Sequence, residues 1–170
     1  MLLVTFKGEL VKLYGKRFSV GDSAPSIKLI GRDLSPIEVG GAQDKCQVIS
    51  VVPSLDTGVC AEQTRHFNQQ AASLPNVKVF CVSMDLPFAQ RRFCSTEGIE
   101  NVSAVSDFVK KEFGKTYGLL LESSPLKGLL TRAVIVVDTK GKIAYQEICS
   151  EITKQPNYVA PFFTLNKLIQ

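Results

Sequence analysis

Three stretches of the chain are rich in apolar and β-branched residues. They cover residues 47–52, 77–83 and 132–137. Such nearly unbroken runs are typical of strands that are buried on both faces of a sheet. Between the first two runs, residues 59–73 place Val59, Gln63 and Phe67 at the i, i+4 spacing of a helix. Residues 47–83 are therefore predicted to form a βαβ unit with two parallel strands.

The remaining segments predict a mixed α/β fold. Residues 4–6 and 10–14 predict an N-terminal β-hairpin, and residues 132–137 are expected to turn into a second antiparallel hairpin with residues 142–148. Shorter strands are predicted at 26–30 and 102–105, and helices at 86–95, 107–113 and 156–168. This order predicts a single domain over residues 1–170, with a thioredoxin-like fold. Its central mixed β-sheet would be flanked by helices.

Composition and charge exclude several classes of function. The 170 residues include 20 Lys and Arg against 16 Asp and Glu, and this mild charge of +4 is scattered, so no nucleic-acid partner is expected. The longest purely apolar run, Ala133–Val137, is far shorter than the roughly 20 residues that span a bilayer, so no membrane partner is expected. The first residues lack the basic region of a signal peptide. Five cysteines without a Cys-x-x-Cys pair predict free or reactive thiols in a reducing compartment, and no zinc site.

Cys60 lies where the first buried strand passes, through a proline-containing loop, into the predicted helix. In the first turn of a helix, unpaired backbone N–H groups and the helix dipole favour an anion, and a cysteine can supply one as a thiolate. A thiol of ordinary pKa, near 8.5, is only about 3% ionised at pH 7. A mostly ionised thiol needs roughly 3.4 kcal/mol of stabilisation, whereas the dipole supplies at most about 2 kcal/mol. A cation and hydrogen bonds must therefore contribute.

Three further residues are candidates for this site. Thr57, three positions before Cys60, could cap the helix or point its hydroxyl at the sulfur and at a bound oxygen ligand. Arg132 begins the third apolar run, and it could reach Cys60 from the end of a neighbouring strand or remain a solvated strand end. Pro53 has no N–H group and could shield the site from water.

These residues stand in a known motif. The sequence Pro-Ser-Leu-Asp-Thr-Gly-Val-Cys at positions 53–60 resembles the Pro-x-x-x-Thr-x-x-Cys active-site signature of the peroxiredoxins, and specifically of their bacterial thiol peroxidase subfamily. Residues 85–98, which include Asp85, Gln90 and Cys94, resemble the resolving-cysteine segment of that subfamily. Residues 125–134 resemble its activating-arginine strand, and residues 21–25 its entry loop. The resemblance covers nearly the whole chain.

The resemblance implies a thiol-dependent peroxidase that reduces hydrogen peroxide and organic hydroperoxides. Cys60 would be the peroxidatic nucleophile and would be oxidised to a sulfenic acid. Thr57 and Arg132 would orient the peroxide and stabilise developing negative charge, while Pro53 would keep out water. Cys94 would resolve the sulfenic acid as an intrachain disulfide, which thioredoxin would reduce. The resemblance also implies a cytoplasmic homodimer that needs no metal or organic cofactor.

Two other functions use the same residues. A peroxide-sensing redox switch would oxidise the same cysteine pair without significant turnover. A thioredoxin-fold disulfide exchanger would act without peroxide, although the missing Cys-x-x-Cys argues against it. Because a predicted strand separates Cys60 from Cys94, we expect their Cα atoms to lie beyond the roughly 4.4–6.8 Å that a disulfide allows. One or both segments would then unwind in each cycle.

The other candidate residues are expected to be structural. Cys81 lies inside a predicted buried strand, where cysteine packs as a small apolar residue. Cys46 and Cys149 lie at predicted strand ends with no activating neighbour in the sequence. His66 is roughly 240° around the helix from Cys60 and is expected at the surface.

Two phenylalanines flank Cys94. Phe88 and Phe93 are expected to anchor its helix in the core. The alternative is that they line an entrance that favours alkyl hydroperoxides over hydrogen peroxide.

Overall fold

The computed structural model, which describes residues 2–169, contains two β-sheets and several helices. The strands are β1 (Leu3–Phe6), β2 (Glu9–Tyr14), β3 (Ile27–Gly31), β4 (Pro36–Val39), β5 (Cys46–Val51), β6 (Val77–Ser83), β7 (Ser103–Ser106), β8 (Leu120–Leu121), β9 (Ala133–Val137) and β10 (Ile143–Ile148). The helices are α1 (Gly58–Ala71), α2 (Pro87–Glu97), α3 (Glu112–Thr116) and α4 (Ala160–Leu168). The larger sheet has the order β10-β9-β5-β6-β7-β3-β4, and the smaller sheet has the order β1-β2-β8.

Strand β5 lies in the middle of the larger sheet. Every residue of β5 and of β9 is buried, as their continuous apolar sequences predict. Strand β5 pairs in parallel with β6 and antiparallel with β9, so Val51 is opposite both Val82 and Ala133. The carboxyl end of β5 therefore lies beside the beginning of β9. This register brings the loop that follows β5 close to the residue that precedes β9.

Helices cover both faces of this sheet. Phe67 of α1 and Phe162 and Leu165 of α4 pack in one core with β5, β6 and β9. Phe113 of α3 and Tyr117 pack in a second core on the other face. The predicted βαβ unit and the antiparallel β9–β10 hairpin are both confirmed. Within residues 2–169, no helix is long and apolar enough to cross a membrane.

The predicted N-terminal hairpin is also confirmed. Strands β1 and β2 pair antiparallel, and β8 extends them to three strands. The hairpin is joined to the segment after β10, because Thr5 N–H donates to the Ser150 carbonyl at 2.7 Å and Ile152 N–H donates to the Thr5 carbonyl at 2.8 Å. Residues from the two ends of the chain thus meet near the start of β9.

Two helices begin later than predicted. Helix α3 starts at Glu112 rather than at residue 107, because the Asp107 carboxylate accepts hydrogen bonds from the backbone of Phe113 at 3.1 Å and Gly114 at 2.9 Å. Helix α4 starts at Ala160 rather than at residue 156, because Asn157 Oδ1 accepts from the N–H groups of residues 159 and 160. The short strands β4 and β8 were not predicted.

Candidate active site

Cys60 lies in the first turn of α1, and the residue is fully buried. Thr57 is the N-cap of the helix. Its Oγ1 accepts from the Cys60 N–H at 3.3 Å and donates to the Ser54 carbonyl at 3.2 Å. Thr57 was predicted either to cap the helix or to point its hydroxyl at the sulfur. The structure shows the helix cap, and the hydroxyl proton is directed at the Ser54 carbonyl. The first turn of α1 is fixed in this way beside the sulfur.

Arg132 approaches the same sulfur from the start of β9. Its Nη2 donates to Cys60 Sγ at 3.3 Å, and the residue is only 2% exposed. Nη1 donates to Gln63 Oε1 at 2.9 Å, and Nε donates to the Ile152 carbonyl at 2.8 Å. The alternative of a solvated strand end is therefore wrong. A buried guanidinium whose N–H groups are shared among three acceptors is held in one orientation, with its charge against the thiol.

Gln63 is a site residue that sequence reasoning did not identify. It lies one turn after Cys60 on the buried face of α1 and is fully buried. Its Nε2 donates to Ser50 Oγ at 2.8 Å while its Oε1 accepts from Arg132. The sequence signal was that Gln63 is a polar residue at a position of the helix face that Val59 and Phe67 predict to be buried. Gln63 thus orients the guanidinium.

An apolar cavity of about 200 Å³ lies beside these groups. Pro53, Thr57 and Arg132 all line it, so the structure brings together the residues predicted around Cys60. The rest of the wall is mainly aliphatic and aromatic, from Phe6, Val59, Leu126, Leu129 and Ile152. Burial in such surroundings strengthens the interaction between a guanidinium and an anion, because little water is present to screen it.

Cys94 lies in α2 and is 2% exposed. Its thiol is free, as is that of Cys60. Burial raises the pKa of the Cys94 thiol, and the positive charge of Arg32 opposes this shift. Phe93 packs against the core as expected, but Phe88 is 66% exposed, so the expectation that it anchors α2 in the core is wrong.

The other cysteines are buried and free. Burial raises the pKa of Cys81 and of Cys149 to about 12, and it also raises the pKa of Cys46. These surroundings fit the packing role that was expected. His66 is half-buried and stacks on Tyr158, with ring centroids 4.1 Å apart, so it is partly covered at the surface. In the described part of the chain, no three His, Cys, Asp or Glu side chains are grouped so as to hold a metal ion.

Comparison with known proteins identifies the family of this chain. A family model described as Redoxin matches residues 19–160. A thiol peroxidase of Campylobacter jejuni is 55% identical over 157 residues, which cover 92% of this chain and 89% of that protein. A thiol peroxidase of Bacillus subtilis is 41% identical over the whole of both chains. This chain belongs to the thiol peroxidases of the peroxiredoxin family.

Solved structures confirm the fold of this peroxidase. A peroxiredoxin-like protein from Aquifex aeolicus superposes with a TM-score of 0.95 at 45% identity, over 98% of this chain and 96% of that one. A thiol peroxidase from Chromobacterium violaceum, at 21% identity, shares the fold with a TM-score of 0.88. The predicted thioredoxin-like arrangement is therefore confirmed. The protein is an oxidoreductase, a thiol-dependent peroxidase.

Proposed function

We propose that this peroxidase reduces hydrogen peroxide and organic hydroperoxides at Cys60, closes an intrachain disulfide between Cys60 and Cys94, and is recycled by thioredoxin. The observation that carries the proposal is the hydrogen bond of 3.3 Å from Arg132 Nη2 to Cys60 Sγ, between two residues that are both almost fully buried. A permanent cation in contact with a buried sulfur favours the thiolate, which is the nucleophilic form.

The first step is a displacement on oxygen. The Cys60 thiolate attacks the terminal oxygen of the hydroperoxide, the O–O bond breaks, and both of its electrons leave with the alkoxide or hydroxide. That leaving group takes a proton from the surrounding water, and the sulfur is left as a sulfenic acid. Arg132 is positioned to stabilise the charge that passes from sulfur to oxygen, since its guanidinium already lies against Sγ.

The cavity supports organic hydroperoxides as substrates. Its wall next to Thr57 and Arg132 is apolar, with Phe6, Leu126 and Leu129 among the lining residues. An alkyl chain placed there would remove apolar surface from water, which contributes roughly 25 cal/mol per Å². The small, polar hydrogen peroxide would gain little from the same surface. Phe88 does not line this cavity, so the proposed preference rests on these other residues.

The second step joins the two cysteines. Cys94, as a thiolate, attacks the Cys60 sulfur, the S–O bond breaks, and the oxygen leaves as water after it takes up a proton. Cys60 and Cys94 are buried in separate helices, and the proposed cycle has the Cys60 turn, α2, or both unwind so that the sulfurs can meet. A dithiol such as thioredoxin then reduces the Cys60–Cys94 disulfide, and the dithiol is itself oxidised to a disulfide.

The peroxiredoxin resemblance supports a cytoplasmic homodimer as the working form.

Mass spectrometry of the peroxide-treated protein tests the proposal. One equivalent of hydroperoxide should link Cys60 to Cys94 within one chain, and thioredoxin with its reductase should restore the thiols with continuous peroxide consumption. The Cys60→Ser variant should show neither linkage nor consumption, and Cys46→Ser serves as a matched control. A different cysteine pair would contradict the assignment of Cys94, and oxidation without turnover would identify a sensor instead.

A further inference from the structure

Asp85 is a half-buried carboxylate in the loop between β6 and α2. It begins the sequence segment that resembles the resolving-cysteine region, but the chemistry above gives it no part. Its side chain accepts hydrogen bonds from two directions. One set comes from the loop that leads to Cys60, and the other leads towards the helix that carries Cys94.

On the Cys60 side, Asp85 holds the loop between β5 and α1. Ser54 Oγ donates to Asp85 Oδ1 at 2.7 Å, and the Leu55 N–H donates to Asp85 Oδ2 at 2.8 Å. The Ser54 carbonyl in turn accepts from the hydroxyl of Thr57, the N-cap of α1. The carboxylate is therefore connected by hydrogen bonds to the turn that must open to release Cys60.

On the Cys94 side, the connection runs through Ser83 and Gln90. Ser83 Oγ donates to Asp85 Oδ2 at 2.8 Å, and Gln90 Nε2 donates to Ser83 Oγ at 3.1 Å. Gln90 is fully buried, and its Nε2 is also within 2.8 Å of the Val105 carbonyl. It lies on α2, four residues before Cys94, so it fixes the turn of the helix that precedes this cysteine.

We propose that Asp85 is a positioning residue that couples the opening of the Cys60 turn to the opening of α2. The proposal rests on the Cys60–Cys94 resolution proposed above. Hydrogen bonds to a charged group are stronger than neutral ones, so both segments are held closed in the reduced enzyme. When the Ser54–Leu55 loop leaves, water reaches Asp85 and weakens its bond to Ser83. The hydrogen bond from Gln90 to Ser83 is then weaker, and α2 opens more readily. The two sulfurs are then released in one event.

Hydrogen exchange on the reduced protein tests the coupling without any peroxide chemistry. In Asp85→Ala, amides in α1 near Cys60 and in α2 near Cys94 should both exchange about ten-fold faster or more, while β10 should not change. Asp44→Ala is the matched control, because it removes an exposed carboxylate that pairs with Lys78 at 3.0 Å elsewhere on the molecule. Faster exchange in only one of the two helices, or a uniform increase over the chain, would overturn the proposal.

A second readout separates coupling from a merely structural role. After one equivalent of peroxide, Asp85→Ala should close the Cys60–Cys94 disulfide about ten-fold faster than wild type, and it should form less sulfinic acid at Cys60 when peroxide is in excess. More over-oxidation than in wild type would refute the inference. If Asp85→Ala does not fold, Asp85→Asn and Ser54→Ala should show the same faster disulfide closure and the same decrease in sulfinic acid, each to a smaller degree. If the wild type forms no Cys60–Cys94 link, the proposed function fails, whereas the exchange result still decides the coupling.

Discussion

Replacing Arg132 with methionine removes a cation that contacts the Cys60 sulfur, and it keeps much of the side-chain volume. In the structure the guanidinium lies 3.3 Å from Sγ and is buried. Two unit charges at that separation interact with about 5 kcal/mol at an effective dielectric constant of 20. Water that replaces the guanidinium and relaxation of the site recover part of this, so we expect a loss of about 3 kcal/mol in stabilisation of the thiolate.

A loss of about 3 kcal/mol corresponds to a fall of roughly a hundred-fold in the rate of attack on peroxide at pH 7. Stopped-flow measurement of the first oxidation gives this rate. Alkylation by iodoacetamide reports the thiolate alone, because that reaction needs no bound peroxide. We expect both rates to fall for Arg132→Met and neither to change for Arg17→Met, which alters an exposed arginine. Arg132→Lys keeps the charge and should lose less.

The same substitution also affects folding. Methionine cannot donate to Gln63 Oε1 or to the Ile152 carbonyl, and each buried acceptor that loses its donor costs about 1–3 kcal/mol. Urea unfolding of the reduced variant measures this loss separately from reactivity. If Arg132→Met unfolds at lower urea concentration but alkylates and attacks peroxide at the wild-type rate, then Arg132 is structural only and does not activate Cys60.

Three further outcomes are expected. Cys94→Ser should complete about one turnover per subunit with thioredoxin and then accumulate sulfinic acid; sustained turnover would show that another thiol resolves Cys60. Because burial raises the pKa of Cys81 to about 12, iodoacetamide should modify Cys81 in the folded protein far more slowly than Cys60, and equal rates would contradict its burial. Hydrogen bonds, above all those from Thr153, lower the pKa of Glu151 from 4.5 to about 2. The ionised Glu151 side chain therefore stabilises the fold above pH 4.5, and this stabilisation is lost as the pH falls towards 2. Glu151→Gln should therefore flatten the decline in urea midpoint over this range, and an unchanged decline would assign it to other groups.

The sheet could be predicted because its central strands carry their own signal. The residues of β5 and β9 are buried on both faces, so their sequences are largely apolar and do not alternate with exposed polar residues. Strand β4 shows no such signal, since it is partly exposed and begins at Pro36. The predicted start of α4 was wrong because the sequence offers two prolines for the first turn, at 156 and at 161, and the helix uses the second. The Asn157 side chain accepts from the N–H groups of residues 159 and 160 just before the helix begins.

The site could be predicted only in part. The spacing of Pro53, Thr57 and Cys60 along one loop and helix made their proximity visible in the sequence. The role of Gln63 depends on Arg132, which lies far along the chain and meets it only because β9 runs antiparallel to β5. The cavity wall likewise combines residues of the N-terminal hairpin, the segment before β9 and the loop after β10. Such contacts follow from tertiary structure and leave no local pattern.

Burial of the thiol has opposite consequences for the two proposed steps. Reaction with peroxide requires the closed site, because only there does Arg132 contact the Cys60 sulfur without competing water. The proposed resolution uses an open state, in which Cys94 leaves its buried position in α2. A sulfenic acid that has not yet met Cys94 can react with a second peroxide and become a sulfinic acid. Over-oxidation should therefore rise with peroxide concentration once peroxide attack exceeds the opening rate. The hydrogen bonds that hold the Cys60 turn and α2 closed then set the peroxide concentration at which the enzyme is inactivated.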